Sequence, residues 1–402
     1  MKKGWQTKKL GEVLEKTETV NPLQSPDVEF DYIDVSSVSN TTFEIKETQR
    51  LKGKDAPSRA RKLVRTNDII FATIRPTLQR IAVVPEHLDK QVCSTGYFVL
   101  RPKQGIHHRF AFYSLITENF IEQMESLQKG ASYPAVTDGD VRAQVIPVPP
   151  LPEQQRIVGL LDEAFEGLST AKANAEKNLQ NARAIFESQL QSVFTQRGPG
   201  WVETTLEKVL ASQPQNGWSP PAANHSASGT PVLTLSSVTG FKFRPDKVKF
   251  TSASTDHKKK YWVKNGDFLI TRSNTPELVG HVAIASGIEK PTIYPDLIMR
   301  MNPVPDRALT EFLYYHLRTP ALRTEIMGRA QGANPTMKKI SNGAVKTLPI
   351  AVPTIAIQQA IVETLNDLTA ETQRLAAIYS RKLAALEALK KSLLHQAFTG
   401  GL

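Results

Sequence analysis

One cysteine, Cys93, occurs in 402 residues. A lone thiol cannot build an internal disulfide framework, which fits a reducing compartment, and Cys93 reads as packing rather than chemistry. No run of about 18 apolar residues is present, so no membrane helix is expected. The opening Met1-Lys2-Lys3-Gly4-Trp5 lacks the apolar stretch of a secretory signal. A soluble, cytoplasmic chain is therefore expected. Also missing are a phosphate-cradling Gly-x-x-x-x-Gly-Lys-Ser/Thr loop and an Asn- or Asp-Pro-Pro-aromatic tetrapeptide of the adenine-methylating kind; Ser219-Pro220-Pro221-Ala222 lacks both ends. The eight histidines are scattered, and His107-His108 has no zinc spacing with the cysteine, so no metal site is expected. Asp246, Asp256 and Lys258 superficially match the carboxylate-carboxylate-lysine pattern of metal-dependent nucleases. So short a pattern arises easily by chance, and the first half of the chain lacks it.

What is present is a repeat. Trp5 to Leu14 returns as Trp201 to Leu210, a shift of 196 residues. Further on, Val148, Gln154, Gln155, Ile157, Val158, Leu161, Ser188, Phe194 and Thr195 return as Val352, Gln358, Gln359, Ile361, Val362, Leu365, Ser392, Phe398 and Thr399, each 204 residues later. Solenoid repeats run roughly 20 to 50 residues, so this is a duplicated domain with whatever follows it. The formal net charge of +11 suits a polyanion partner, because lysine and arginine displace condensed counterions from phosphates.

Each copy opens with a mixed region. Asp68-Ile69-Ile70-Phe71-Ala72 and Ile81 to Val84 read as strands, matched by Asp267 to Ile270 and Val282 to Ala285. Tyr32 to Val38 and Val232 to Val238 read as a shared opening strand, and helices are expected over Phe110–Glu118 and Glu311–Leu317 with Tyr113 matching Tyr314. Between the shared strands the copies differ almost completely. A proline cluster, Pro147, Pro149, Pro150 and Pro152, then precedes over 40 residues without proline or a strong turn signal, expected as one long helix or two. Apolar residues from Ile157 through Leu161, Leu168, Ala175, Ala182 and Phe186 to Val193 step by three and four, a coiled-coil seam repeated from Ile361 to Ala397 with a slip near Lys390. At about 1.5 Å per residue each helix would span roughly 65 Å.

Val148-Pro149-Pro150-Leu151-Pro152-Glu153-Gln154-Gln155-Arg156-Ile157-Val158, the ending Ser392 to Gly400, and Asn265-Gly266-Asp267-Phe268-Leu269-Ile270-Thr271-Arg272-Ser273-Asn274 closely resemble the specificity subunit of type I restriction-modification systems, over nearly the whole chain. Copy two departs at Ala356-Ile357, where the family has Pro-Glu. The resemblance implies an α+β fold: two homologous target recognition domains (1–150 and 199–353) separated by two long helices (151–198 and 354–402) that form an antiparallel coiled coil with pseudo-twofold symmetry. It implies that the chain is no enzyme and binds double-stranded DNA at a bipartite, asymmetric site. Two methyltransferase (modification) subunits would bring S-adenosylmethionine, and two restriction/translocase subunits ATP and Mg2+; this chain would carry no cofactor and touch no membrane. A coiled-coil adaptor that reads no DNA and a fused restriction enzyme are the alternatives.

For DNA contact, the loops after the shared strand come first: Thr73, Arg75 and Gln79 in copy one, Arg272, Ser273 and Asn274 in copy two. Arginine can donate two bonds to guanine, and asparagine or glutamine can pair with adenine; the same arginines could instead hold phosphate or cap the strand. A second pair of loops, Lys129 with Ser132 and Tyr133, and Gln331 with Asn334, offers small polar groups beside glycine, or a plain surface turn. Lys258, Lys259 and Lys260 beside Tyr261 and Trp262 suit phosphate attachment or a solvated face. Ser58, Arg59, Arg61, Lys62 and Arg65 form a comparable basic segment.

Overall fold

The proline-rich junctions end a strand and open a helix, as proline's missing N–H and fixed φ dictate. Strands Val145–Val148 and Pro349–Val352 lead into the helices Leu151–Thr195 and Ile355–Thr399, each one unbroken run of 45 residues. The computed structural model describes residues 4–334 and 337–402, so Met1, Lys2 and Lys3 of the opening lie outside the described residues. Two units organise the chain. One extends to Glu176 and takes in Ser380–Leu402; the other is Lys177–Tyr379. The division falls inside both long helices, so each unit joins one mixed domain to a piece of each helix.

In the first unit, four strands in the order Gln49–Lys52, Glu29–Ile33, Val92–Ser94, Ala60–Leu63 form one sheet, and Ile81–Val83, Ile69–Ala72, Tyr97–Leu100 form another. The run Ile69-Ile70-Phe71-Ala72 is buried throughout because the strand's two-residue period feeds two cores. Ile69 and Phe71 join a cluster with the long helices, while Ile70 and Ala72 join one with Ile33 and Cys93. The second unit sorts Phe268 and Ile270 from Leu269 in the same way. Cys93 is fully buried, and burial pushes its thiol up to about 12. The opening repeat closes each domain: Gln6–Lys9 pairs antiparallel with Val145–Val148, and Val202–Thr205 with Pro349–Val352.

Two expectations are corrected. The opening strand stops at Ile33 and Leu233, and one turn of 3-10 helix follows, Val35–Ser37 and Leu235–Ser237. The Asp34 and Thr234 N–H groups each donate to a serine hydroxyl three residues on, Ser37 and Ser237, both at 3.1 Å, a local bond that competes with strand continuation. The partner of Tyr113 is Tyr315, not Tyr314: Tyr113 donates to the Asp162 carboxylate and Tyr315 to the Asn366 side-chain oxygen at 2.7 Å, and 162 and 366 are 204 apart.

Within each unit the helix segments run antiparallel. In the first, Arg156 donates to the main-chain oxygen of Leu402 at 2.8 Å, while Phe165 meets Lys390 further along. In the second, Phe186 and Leu190 share a core with Leu365 and Ile361. The seam residues Ile157, Leu161, Ala175, Ala182, Phe186, Leu190, Leu365, Leu394 and Ala397 are all buried.

One amide ties helix to domain, and it is built twice. Gln154 is fully buried; its side-chain oxygen accepts from the His107 N–H (2.8 Å), and its side-chain nitrogen donates to the carbonyls of Pro149 (2.8 Å) and Gly105 (3.1 Å). Gln358 repeats this with the Leu309 N–H (2.9 Å) and the carbonyls of Pro353 (2.9 Å) and Arg307 (3.1 Å). Leucine in either place would strand one donor and two acceptors. We expect Gln154→Leu to lower unfolding free energy by about 3 kcal/mol in denaturant titrations, and Gln358→Leu likewise.

Candidate nucleic-acid interface

The two loops singled out in each copy lie far apart in sequence, and the structure zips them together. In the first unit the Arg75 N–H donates to the Pro134 carbonyl (2.7 Å) and the Val136 N–H to the Thr73 carbonyl (2.9 Å), with Ile74 bridged to Ala135. In the second, Ser273–Asn274 pairs with Lys338–Lys339, the Ile340 N–H donates to the Arg272 carbonyl (2.9 Å), and Gln331 bridges Lys339.

The first loop pair is held in an uncommon backbone state. Arg75 (φ 50°) and Gln79 (φ 53°) both take left-handed conformations on either side of a one-turn helix, Pro76–Leu78. Left-handed non-glycine residues cost on the order of 1 kcal/mol each and persist where surroundings over-determine them. The gain here is display. The Arg75 guanidinium lies 5.1 Å from the Tyr133 ring centroid and donates to the Ser132 carbonyl at 3.2 Å. Tyr133 is 72% exposed, and Lys129, Ser132 and Arg75 are exposed with it, while Gln79 is half-buried. Thr73 differs. It is buried and its hydroxyl donates to the Gly96 carbonyl (3.1 Å), so in this conformation it supports the loop rather than presenting a group. Gly96 has no room for a side chain there, since a Cβ would come within 2.7 Å of Val35.

The second loop pair presents different chemistry on the same frame. Ser273 is buried, and Asn274 is half-buried with its amide donating to the Thr239 hydroxyl (3.3 Å) and accepting from the Thr275 N–H (2.9 Å). Arg272 is half-buried. Gln331, Asn334 and Lys339 are the exposed groups, and Lys338 donates to the Gly332 carbonyl at 2.7 Å. Lys338 and Lys339 were missed in the sequence reading, where only their nearness to the Gln331 loop pointed to them.

Lys258, Lys259 and Lys260 are exposed on a separate turn. Aromatic rings pin it: His257 stacks on Trp262 with centroids 5.1 Å apart, Trp218 stacks on Tyr261 at 5.3 Å, and the Trp262 indole donates to the Asp256 carbonyl at 3.0 Å. Of the basic segment in copy one, Lys62 pairs with Asp138 at 2.9 Å and Arg65 with Glu18 at 2.8 Å, whereas Arg59 is exposed.

His281 braces the second loop pair from behind. The Gly240 N–H donates to its Nδ1 (2.9 Å), and the His281 backbone N–H donates to the Thr271 hydroxyl (3.0 Å), next to Arg272. Burial, with the Arg323 charge adding, lowers its imidazole from 6.5 to about 4. The unfolded chain takes up a proton that the folded one refuses, so this contribution to stability is complete above about 6.5 and is lost as pH falls toward about 4. Melting temperature should drop across that window, and the slope should be shallower in His281→Asn.

A protein with two copies of one domain, each offering a differently furnished loop pair on a shared frame, belongs to the class of duplicated recognition proteins. The profile of the type I restriction modification DNA specificity domain matches residues 2–179 and 199–380, and the chain belongs to that family. The EcoKI specificity subunit of Escherichia coli K12 is 26% identical over 340 residues, spanning 79% of this chain and 70% of that protein. The crystal structure of the HsdS subunit from Thermoanaerobacter tengcongensis superposes with a TM-score of 0.67 at 29% identity, covering 100% of this chain and 98% of the other. A chain from a structure concerned with complex assembly and conformational transition of the type I R-M system gives a TM-score of 0.85 at 28% identity, covering 100% and 99%. Among the described residues no helix is long and apolar enough to cross a membrane.

Proposed function

We propose that this chain is the non-catalytic subunit that supplies DNA sequence specificity to a type I restriction-modification complex. Each unit reads one half of a split, asymmetric double-stranded site through its loop pair. Partner subunits do the chemistry: two modification subunits methylate adenine with S-adenosylmethionine, and two restriction/translocase subunits use ATP and Mg2+. The observation that carries this reading is the doubled loop pair, assembled by the same backbone zipper but furnished with Arg75, Ser132 and Tyr133 in one unit and with Gln331, Asn334 and Lys339 in the other. Two readers of different sequences need a constant frame and a variable face.

Arginine and the amides read base edges, while Lys129, Lys339 and the Lys258–Lys260 turn hold phosphates. Methylome sequencing of cells carrying the complex tests this. Arg75→Ala should relax one half-site, at a cost of about 1–3 kcal/mol in discrimination, and leave the other unchanged. Asn334→Ala should do the reverse. Loss of both half-sites together, or of neither, would refute the assignment. Affinity of the assembled complex should fall about a hundredfold or more between 50 and 200 mM salt, an outcome that an adaptor without DNA contacts would not show.

Both long helices pass from one unit into the other, so their length is proposed to set the spacer. Inserting one helical turn after Glu176 and another after Tyr379 should lengthen the unread spacer and keep both half-sites. New bases at an unchanged spacing would defeat the idea.

A further inference from the structure

The two units solve one packing problem with opposite parts. In each, a loop phenylalanine in the left-handed region, Phe43 (φ 57°) or Phe241 (φ 58°), lines a crevice against the long-helix segments of its unit. A bulky side chain rarely adopts that backbone, so the ring's position is held by what it packs against. Helix registers show which residues are equivalent. Phe110 packs on Phe398 as Phe312 packs on Phe194, and Tyr113 meets Asp162 as Tyr315 meets Asn366. These pairs give an offset of 202 in the short helices and 204 along the long ones, so Arg318 stands where Ile116 does and Lys390 where Phe186 does.

In the first crevice the cation comes from the long helix. The Lys390 ammonium lies 4.8 Å from the Phe43 centroid and 5.6 Å from that of Phe165, and Ile116 lines the same crevice. In the second, the cation comes from the domain. Arg318 lies 4.7 Å from Phe186, 5.0 Å from Tyr314 and 5.2 Å from Phe241. Each crevice thus sets one cation of this pair of positions against aromatic rings and an apolar side chain in the other position. Glu387 and Lys172 act on Lys390, and Glu187 stands 4.0 Å from Arg318. Burial disfavours the Lys390 ammonium while Glu387 favours it, and Arg109, Glu44 and Glu176 line the same crevice.

We infer that Ile116 with Lys390, and Arg318 with Phe186, key each recognition domain to its own seat on the helices. Exchanging the domains on unchanged helices would set Arg318 against Lys390, two cations around one set of half-buried rings, and would leave Ile116 and Phe186 without a cation between them. Like charges in a partly desolvated site repel strongly, whereas one cation over aromatic rings is attracted. The readout below rests on the proposed reading of a split DNA site.

The test uses the full chain assembled with its modification subunits, with methylation of the complete site as the signal. Ile116→Arg should lower that methylation roughly tenfold or more, and adding Lys390→Phe, which recreates the pairing of the other seat, should bring it back to within about threefold. Because Ile116 is buried, the mirror pair guards against simple misfolding: Phe186→Lys should be damaging, and Arg318→Ile in that background should restore function. Melting temperatures of the same variants must follow the same order. Rescue in either pair supports the keyed seats. Doubles no better than their singles, or harmless singles, overturn them. If the wild-type complex methylates no split site, the proposed function fails, and the melting series still decides the pairing.

Discussion

A single buried amide at the first turn of each long helix holds the architecture together. Gln154 and Gln358 each bind three backbone groups: the segment before the short helix, which supplies an N–H and a carbonyl, and the end of the closing strand, which supplies a second carbonyl. No apolar side chain could satisfy all three, and a carboxylate could not donate to the carbonyls. The neighbouring glutamines, Gln155 and Gln359, recur at the same spacing yet are exposed, so the doublet contains one structural residue and one surface residue. The departure at Ala356-Ile357 is harmless to the clamp because the amide's partners are backbone atoms and do not involve those side chains.

That clamp separates what must stay from what can vary. Sheets, closing strand and helix start are joined by backbone bonds and buried apolar contacts that both units share. The zipped loops are held to each other by main-chain pairing, as between Ile74 and Ala135 or Ser273 and Lys339, with buried anchors such as the Thr73 hydroxyl on the Gly96 carbonyl, so the exposed side chains beyond those anchors are free to differ. The left-handed Arg75 and Gln79 belong to one unit alone.

Much of the frame was legible in the sequence because it rests on local periodicity and on recurrence. The seam from Ile157 onward, the strands at Ile69 and Phe268, and the helix starts after the prolines all announce themselves in spacing. Less visible were features made by long-range pairing. Nothing local ties Thr73 to Val136, and nothing in the seam pattern explains the slip at Lys390, which becomes intelligible only when Phe43 arrives from a distant loop to receive the ammonium. The second short helices, Glu118–Leu127 and Pro320–Arg329, were not anticipated, although Thr117 caps the first by accepting from the Phe120 N–H. Residue types in the candidate site suggested contact chemistry, but burial, which comes from the fold, is what sets Thr73 and Ser273 apart from Arg75 and Tyr133.

Cys93 gives the molecule a practical property. Its sulfur is enclosed in a sheet and burial holds the thiol in its protonated form, so maleimides and similar thiol-seeking probes are expected to pass it by. A fluorophore or spin label could be attached at one introduced surface cysteine per unit without first removing the natural one. The chain is therefore ready-made for spectroscopic rulers that follow its two halves as DNA and partner subunits are added.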